Sequence, residues 1–184
     1  DKCISPISSS HSNKERMKFG RTFQESIIPE WRFYYMDYDG LKQMLKERTS
    51  KGSFFAETDE AAFVERLEME MQKVFDFRDV KAGELTRHVQ HCETSISFID
   101  SASQRDLEGE IDRITVELSH LSHFSRLNYT AFVKILKKHD KHTEFMLKPM
   151  FMMRLNPRMQ QNELLDSLIY RLSKLYDKIR RGVD

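Results

Sequence analysis

The chain is poor in the residues that interrupt helices. Its 184 residues include six glycines and four prolines, and no proline lies between Pro29 and Pro149. With 32% charged residues, so few breakers argue against a turn-rich β architecture and favour helices with solvated faces. Two cysteines, Cys3 and Cys92, exclude a disulfide framework and point to a reducing compartment. No apolar run exceeds a few residues, so nothing in the sequence reads as a membrane span. No apolar signal-peptide core follows a basic start. A dominant charge is also missing. Lys plus Arg number 30 and Asp plus Glu 29, a net charge of +1. That excludes a global polyanion binder and leaves room for a local basic patch. The length fits one domain, large enough to bury a core without staples.

Residues 1–16, DKCISPISSSHSNKER, are Ser-rich and without apolar periodicity, and read as a disordered leader or a scar of cloning. Residues 17–184 then form the domain, and Met17 looks like a natural start. MKFGRTFQESIIPEW gives a short amphipathic piece ending near Pro29. Residues 31–48 carry Trp31, Tyr34, Tyr35, Tyr38, Leu41 and Leu45 at helical spacing, which predicts one helix started by Pro29. Ser50, Lys51, Gly52 and Ser53 make a break.

A second helix is expected from Thr58 as N-cap, with Asp59 and Glu60 in its first turn and the stripe Phe63, Leu67, Met71, Val74 running on to about Cys92. Ser101 with Gln104 reads as a capping box for a third. Its stripe Leu107, Ile111, Ile114, Leu118, Leu121 can continue to about Lys141, roughly 60 Å of helix for forty residues. Pro149 and Pro157 bracket a shorter piece, and Leu165, Leu168, Leu172, Leu175 and Ile179 mark the last helix. No strand pattern and no internal repeat is present. The expected fold is all-α: an N-terminal helical hairpin in front of an elongated helical bundle with two long helices.

FVKILKKHDKH, residues 132–142, is the most informative stretch. Lys134, Lys137, Lys138 and Lys141 fall within an arc of roughly 100°, while Phe132, Ile135, Leu136 and His139 face the other way. Like charges at this spacing cost a few tenths of a kcal/mol per pair, and only Asp140 interrupts them. A face kept for an anion explains the pattern, and so does the solvated side of a long helix. Tyr38 and Lys42 share a face that Lys46 continues. A hydroxyl and an ammonium suit a phosphate oxygen, although a core tyrosine beside a surface lysine has the same spacing.

Searches for catalytic groups find little. His88, His91 and Cys92 lack a further ligand at metal spacing. His120 with His123, and His139 with His142, lack a partnering Glu-x-x-His motif. There is no P-loop, dinucleotide-binding glycine motif or nucleophile elbow. No catalytic residue and no metal site is expected. Asn128-Tyr129-Thr130 is a formal glycosylation acceptor placed mid-helix and is set aside, and the ten methionines read as core filler.

MKFG at 17–20, W-x-x-x-Y-x-x-Y-x-x-LK at 31–42, LNYTAFVKILKKHDK at 127–141 and LSKLYDKIR at 172–180 together resemble the SPX domain family over nearly the whole chain. Within it the pattern is most like fungal subunits of the vacuolar transporter chaperone complex, a polyphosphate polymerase, with N-terminal domains of phosphate exporters a weaker match. The resemblance implies a hairpin on a three-helix bundle that binds inositol polyphosphates and pyrophosphates, such as the hexakisphosphate, as regulatory ligands and not as cofactors. It implies a non-enzymatic module that couples phosphate status to polyphosphate synthesis or phosphate transport. Other subunits of the complex are the implied partners. Nucleic acid is not one, and the implied location is the cytosolic face of the vacuole membrane, reached through regions outside this chain. By position, Tyr38, Lys42 and Lys138 match the family's phosphate-binding cluster. Lys134, Lys137 and Lys141 match the adjoining lysine surface, and Lys18 a basic residue at the chain start. The 16 residues before Met17 depart from the family, whose chains begin at that methionine. A helical module whose basic face binds a partner protein or anionic lipid is the alternative function.

Overall fold

The computed structural model describes residues 19–49, 55–96, 101–160 and 162–181. The leader at 1–16, Lys18 and the break at 50–53 lie outside the described residues. Among these residues six α-helices follow in order: α1 Phe19–Ser26, α2 Tyr38–Thr49, α3 Glu57–Ser95, α4 Ser101–His142, α5 Lys148–Met159 and α6 Glu163–Arg181, with a 3₁₀ segment, Pro29–Tyr34, between α1 and α2. Among the described residues there is no strand. α3 and α4, of 39 and 42 residues, pack together and α6 lies against both. That is the elongated three-helix bundle, and the α1–α2 hairpin packs on it.

The sequence stripes become the core. Phe63, Leu67, Met71 and Val74 of α3, Leu107, Ile111, Ile114, Leu118 and Leu121 of α4, and Leu165, Leu168, Leu172, Leu175 and Ile179 of α6 are all buried. Burying each such side chain stabilises the fold by about 1.5–3 kcal/mol before chain entropy is subtracted. Ion pairs fasten the outer helices to α3. The Arg171 guanidinium donates to both Glu93 oxygens at 2.8 and 2.6 Å, and Arg154 donates to Glu68 at 2.7 Å.

Three expectations change. The single helix over 31–48 is two pieces, the 3₁₀ turn from Pro29 and α2 from Tyr38. Between them the Met36 N–H donates to Asn128 Oδ1 at 2.9 Å and the Asp37 N–H to Glu70 Oε2 at 2.9 Å. Asp37 Oδ1 in turn accepts the Gly40 N–H at 2.9 Å and caps α2. Tertiary partners satisfy the donors that a continuous helix would have bonded internally.

α3 starts earlier than expected, with Ala56 and not Thr58 as N-cap. Asp59 accepts the Ala56 N–H at 3.3 Å, so the helix begins two residues earlier than expected, at Glu57. The Ser101 side chain, and with it the capping box expected for α4, lies outside the described residues, and Gln104 donates its amide to the Ile179 carbonyl of α6 at 3.5 Å. Pro157 lies inside α5 and does not bracket it. The carbonyl deprived of a donor belongs to Met153, whose residue is 78% exposed and open to water.

The hairpin is seated by an aromatic cluster. Tyr35 packs edge-on to Phe124 of α4 at 4.6 Å, Trp31 meets Phe77 of α3 at 5.2 Å, and Tyr34 stacks on Phe77 at 4.1 Å. His123 Nε2 lies 2.8 Å from the Ser26 carbonyl at the end of α1. These contacts put the hairpin against the C-terminal half of α4, the half that carries the lysine face.

Candidate functional site: a cationic face where the hairpin meets α4

Tyr38 opens α2 and Lys42 follows one turn later. The Tyr38 ring is buried, held edge-on by Phe19 at 5.0 Å and touched by Phe23 at 6.0 Å. Burial, helped by the neighbouring Asp39 carboxylate, pushes the Tyr38 phenol above its ordinary value. It is therefore a neutral hydroxyl, able to donate, throughout the physiological range. The ring is a core aromatic, and its residue stands one helical turn before Lys42.

α1 approaches α2 closely at Gly20. A Cβ there would sit 3.1 Å from Asp39 Oδ1, 3.7 Å from the Tyr38 ring and 3.8 Å from Lys42 Nζ. On its other side α1 meets α4, where Lys134 Nζ lies 5.7 Å from the centre of the Phe19 ring. The first turn of α1 is thus set between the start of α2 and the lysine face of α4. It brings Tyr38, Lys42 and Lys134 around one spot. Lys137, Lys138 and Lys141 continue along α4. Lys134, Lys137 and Lys141 are exposed, and Lys138 is half-buried.

The opposite face of α4 is fully buried at Phe132, Ile135, Leu136 and His139. His139 stacks on Phe63 at 4.8 Å, with Nε2 2.8 Å from Glu60 Oε2 and Nδ1 2.9 Å from Asp140 Oδ1. The Asp140 carboxylate also accepts the Leu147 and Lys148 N–H groups, at 2.9 and 3.1 Å, which caps α5. In the Lys-Lys-His-Asp-Lys run, His139 and Asp140 therefore brace the end of α4 against α3 and α5, while the lysines face outward.

Lys42 Nζ is 3.8 Å from Asp39 Oδ1, and the Gln24 amide donates to Asp39 Oδ2 at 3.3 Å. The Asp39–Lys42 spacing, three residues apart on a helix, was in the sequence. Gln24 is not singled out there, and Gly20 enters only within the MKFG motif, because only the packing of α1 places them at the site. Asn128 reads in the sequence as a formal glycosylation acceptor and as part of a family motif, which misses its tie between the hairpin and α4 through Met36. Three further histidines are engaged: His88 Nδ1 lies 3.2 Å from Glu110, His120 packs against Trp31, and His123 meets Ser26. Among the described residues, no group of three or more His, Cys, Asp or Glu side chains is placed to hold a metal ion.

A helical hairpin on a long three-helix bundle, with lysines of two elements near the junction, defines a helical domain with a concentrated cationic surface. The SPX domain model matches residues 17–53 and 101–154, the hairpin and the α4–α5 region that build this junction. The chain belongs to the SPX domain family. It is 41% identical over 174 residues to vacuolar transporter chaperone complex subunit 4 of Schizosaccharomyces pombe, covering 89% of this chain and 24% of that protein. It is 34% identical over 179 residues to subunit 2 of the same complex in Saccharomyces cerevisiae, covering 89% of this chain and 21% of that one. The chain thus spans less than a quarter of the length of these relatives. Among solved structures, the SPX domain of Chaetomium thermophilum glycerophosphodiester phosphodiesterase 1, in complex with inositol hexakisphosphate, superposes with a TM-score of 0.75. That match covers 89% of this chain and 99% of the other at 20% identity, a likeness of fold.

Proposed function

We propose that this domain binds an inositol polyphosphate or pyrophosphate on the junction of α1, α2 and α4, and that occupancy regulates an attached or partner polyphosphate polymerase. Tyr38, Lys42 and Lys138 form the centre of the site. Lys134, Lys137 and Lys141 extend it, and Lys18 lies close by in sequence. The observation that carries this reading is the meeting of Tyr38, Lys42 and Lys134 around Phe19 and Gly20, from three elements with a lysine row leading away. Lysines are flexible point charges and serve many phosphate arrangements, whereas arginine forks would fix one. A ligand with several phosphates around a small ring can span such a row, and free phosphate cannot. The complex with inositol hexakisphosphate in the related fold, and the likeness to vacuolar transporter chaperone subunits, support the ligand class and the effector.

The role is that of a sensor, a reading supported by the match to the SPX domain family and by the inositol hexakisphosphate complex of the related fold. Placement on the cytosolic face of the vacuole membrane belongs to the same proposal, and among the described residues no helix is long and apolar enough to cross a membrane.

Titration calorimetry with inositol hexakisphosphate tests the site. Lys42→Ala and Lys138→Ala should each weaken binding by about 1–3 kcal/mol, the range for charge-assisted hydrogen bonds. Undiminished affinity in both folded variants would refute the assignment.

A further inference from the structure

The lysine junction contains a carboxylate that an anion site would be expected to lack. Asp39 lies between the two helices of the hairpin. Its Oδ1 is 3.8 Å from Lys42 Nζ and lies 3.1 Å from where a Gly20 Cβ would be, beside the first turn of α1. Its Oδ2 accepts the Gln24 amide of α1 at 3.3 Å. An ammonium, an amide donor and the positive end of a helix are the surroundings that favour a phosphate oxygen. Asp39 is about half exposed, so no core packing requires a carboxylate there.

We propose that Asp39 is an internal counter-anion of the lysine site, holding Lys42 and α1 in the unliganded protein until a phosphate of the ligand displaces it from Lys42. This rests on the reading of the junction as a phosphate site. Two consequences follow from charge and geometry. In the unliganded domain, Asp39 relieves the repulsion between Lys42 and the lysines of α4, so the hairpin stays docked. In the liganded domain it opposes any anion at Lys42. A ligand that also reaches the lysine row of α4 overcomes that opposition, and one confined to the Tyr38–Lys42 end does not. Asp39 thereby sets a threshold against singly phosphorylated anions, including orthophosphate. The raised Tyr38 phenol, to which the Asp39 charge contributes, is a second sign of its negative field at this end of the site.

The test is a double-mutant cycle by calorimetry, with inositol hexakisphosphate and orthophosphate as probes. Asp39→Asn keeps the size and a hydrogen-bonding oxygen for Gln24 and removes the charge. It should bind the hexakisphosphate about three- to tenfold tighter, the order expected for removing one nearby like charge in a solvated site. It should also show orthophosphate binding that competes with the hexakisphosphate, which the unaltered protein lacks. Lys42→Ala should weaken hexakisphosphate binding, and in that background Asp39→Asn should bring no further gain. Unchanged affinity in Asp39→Asn, with Lys42→Ala still impaired, would overturn this role and leave the phosphate site standing. A gain that persists without Lys42 would also overturn it, as a general charge effect. Binding indifferent to Lys42→Ala and to loss of the α4 lysines would instead refute the site itself. Asp39→Ser, which also removes the charge, provides the same comparison if Asp39→Asn is poorly folded.

Discussion

Lys134 of α4 holds its ammonium 5.7 Å from the centre of the Phe19 ring of α1, and the same ring packs edge-on against Tyr38 of α2 at 5.0 Å. One aromatic side chain therefore touches a candidate ligand residue on each of two elements nearly a hundred positions apart. Replacing it with a non-aromatic group of similar bulk separates orientation from packing. Phe19→Leu should weaken hexakisphosphate binding by about 0.5–1 kcal/mol, the scale of a cation–π contact, with a smaller effect on unfolding. Calorimetry and denaturant titration on the same preparation measure both.

The hairpin depends on Asn128. Its Oδ1 takes the Met36 N–H at 2.9 Å and its Nδ2 donates to the Phe124 carbonyl at 2.9 Å, all in a buried position. Asn128→Ala leaves the Met36 donor without a partner and should cost about 1–3 kcal/mol. Amide exchange should quicken at Met36 and through α2. Exchange confined to its normal rate there, with global stability unchanged, would show that the hairpin is held by the aromatic cluster alone.

The Glu93–Arg171 pair makes stability depend on pH. The guanidinium's hydrogen bonds hold the Glu93 carboxyl below its ordinary value of 4.5. A depressed carboxyl contributes stability that is fully present above the unfolded value and is lost as pH falls through the folded one. The pair's contribution to stability should therefore shrink as pH falls below about 4.5, and Glu93→Gln should reduce the slope of stability against pH there. Chemical denaturation between pH 3 and 7 at fixed ionic strength reads it as the small contribution of a partly exposed pair.

Ligand binding should be steeply salt-dependent. Lys134, Lys137 and Lys141 are exposed, so their attraction for phosphates is screened over a Debye length of about 8 Å at 0.15 M salt. Hexakisphosphate affinity measured from low to above-physiological salt should fall continuously. An affinity insensitive to salt would indicate a dry, shape-selective pocket in place of an open lysine face.

The long helices were legible because Leu107, Ile111, Ile114, Leu118 and Leu121, and the five apolar residues of α6, repeat every three or four positions and bury one face. The lysine row was legible for the same reason, from its arc on α4. The gap between the 3₁₀ turn and α2 was not. It depends on Asn128 and Glu70, which lie 92 and 33 residues from the backbone groups they satisfy, and helical periodicity runs through the gap without a mark. His139 and Asp140 were seen as interruptions of a basic run. Their work becomes visible only when α3 and α5 supply Glu60 and the Leu147 and Lys148 amides. Gln24 and Gly20 stand beside Asp39 and Lys42 through the packing of α1, a tertiary fact that the MKFG motif did not spell out.

Hydrogen exchange with and without inositol hexakisphosphate tests the central claim most directly, because it reads where the ligand bridges. Binding to the folded state alone stabilises it by about 2.7 kcal/mol at 100 times the dissociation constant. The account predicts a raised melting temperature and slowed exchange in residues 19–46 together with the second half of α4. It predicts that Lys134, Lys137 and Lys141 replaced together by alanine abolish most of that protection and leave the unliganded fold intact, since none of the three is buried. Protection confined to α3, or protection that survives the triple replacement, would contradict it.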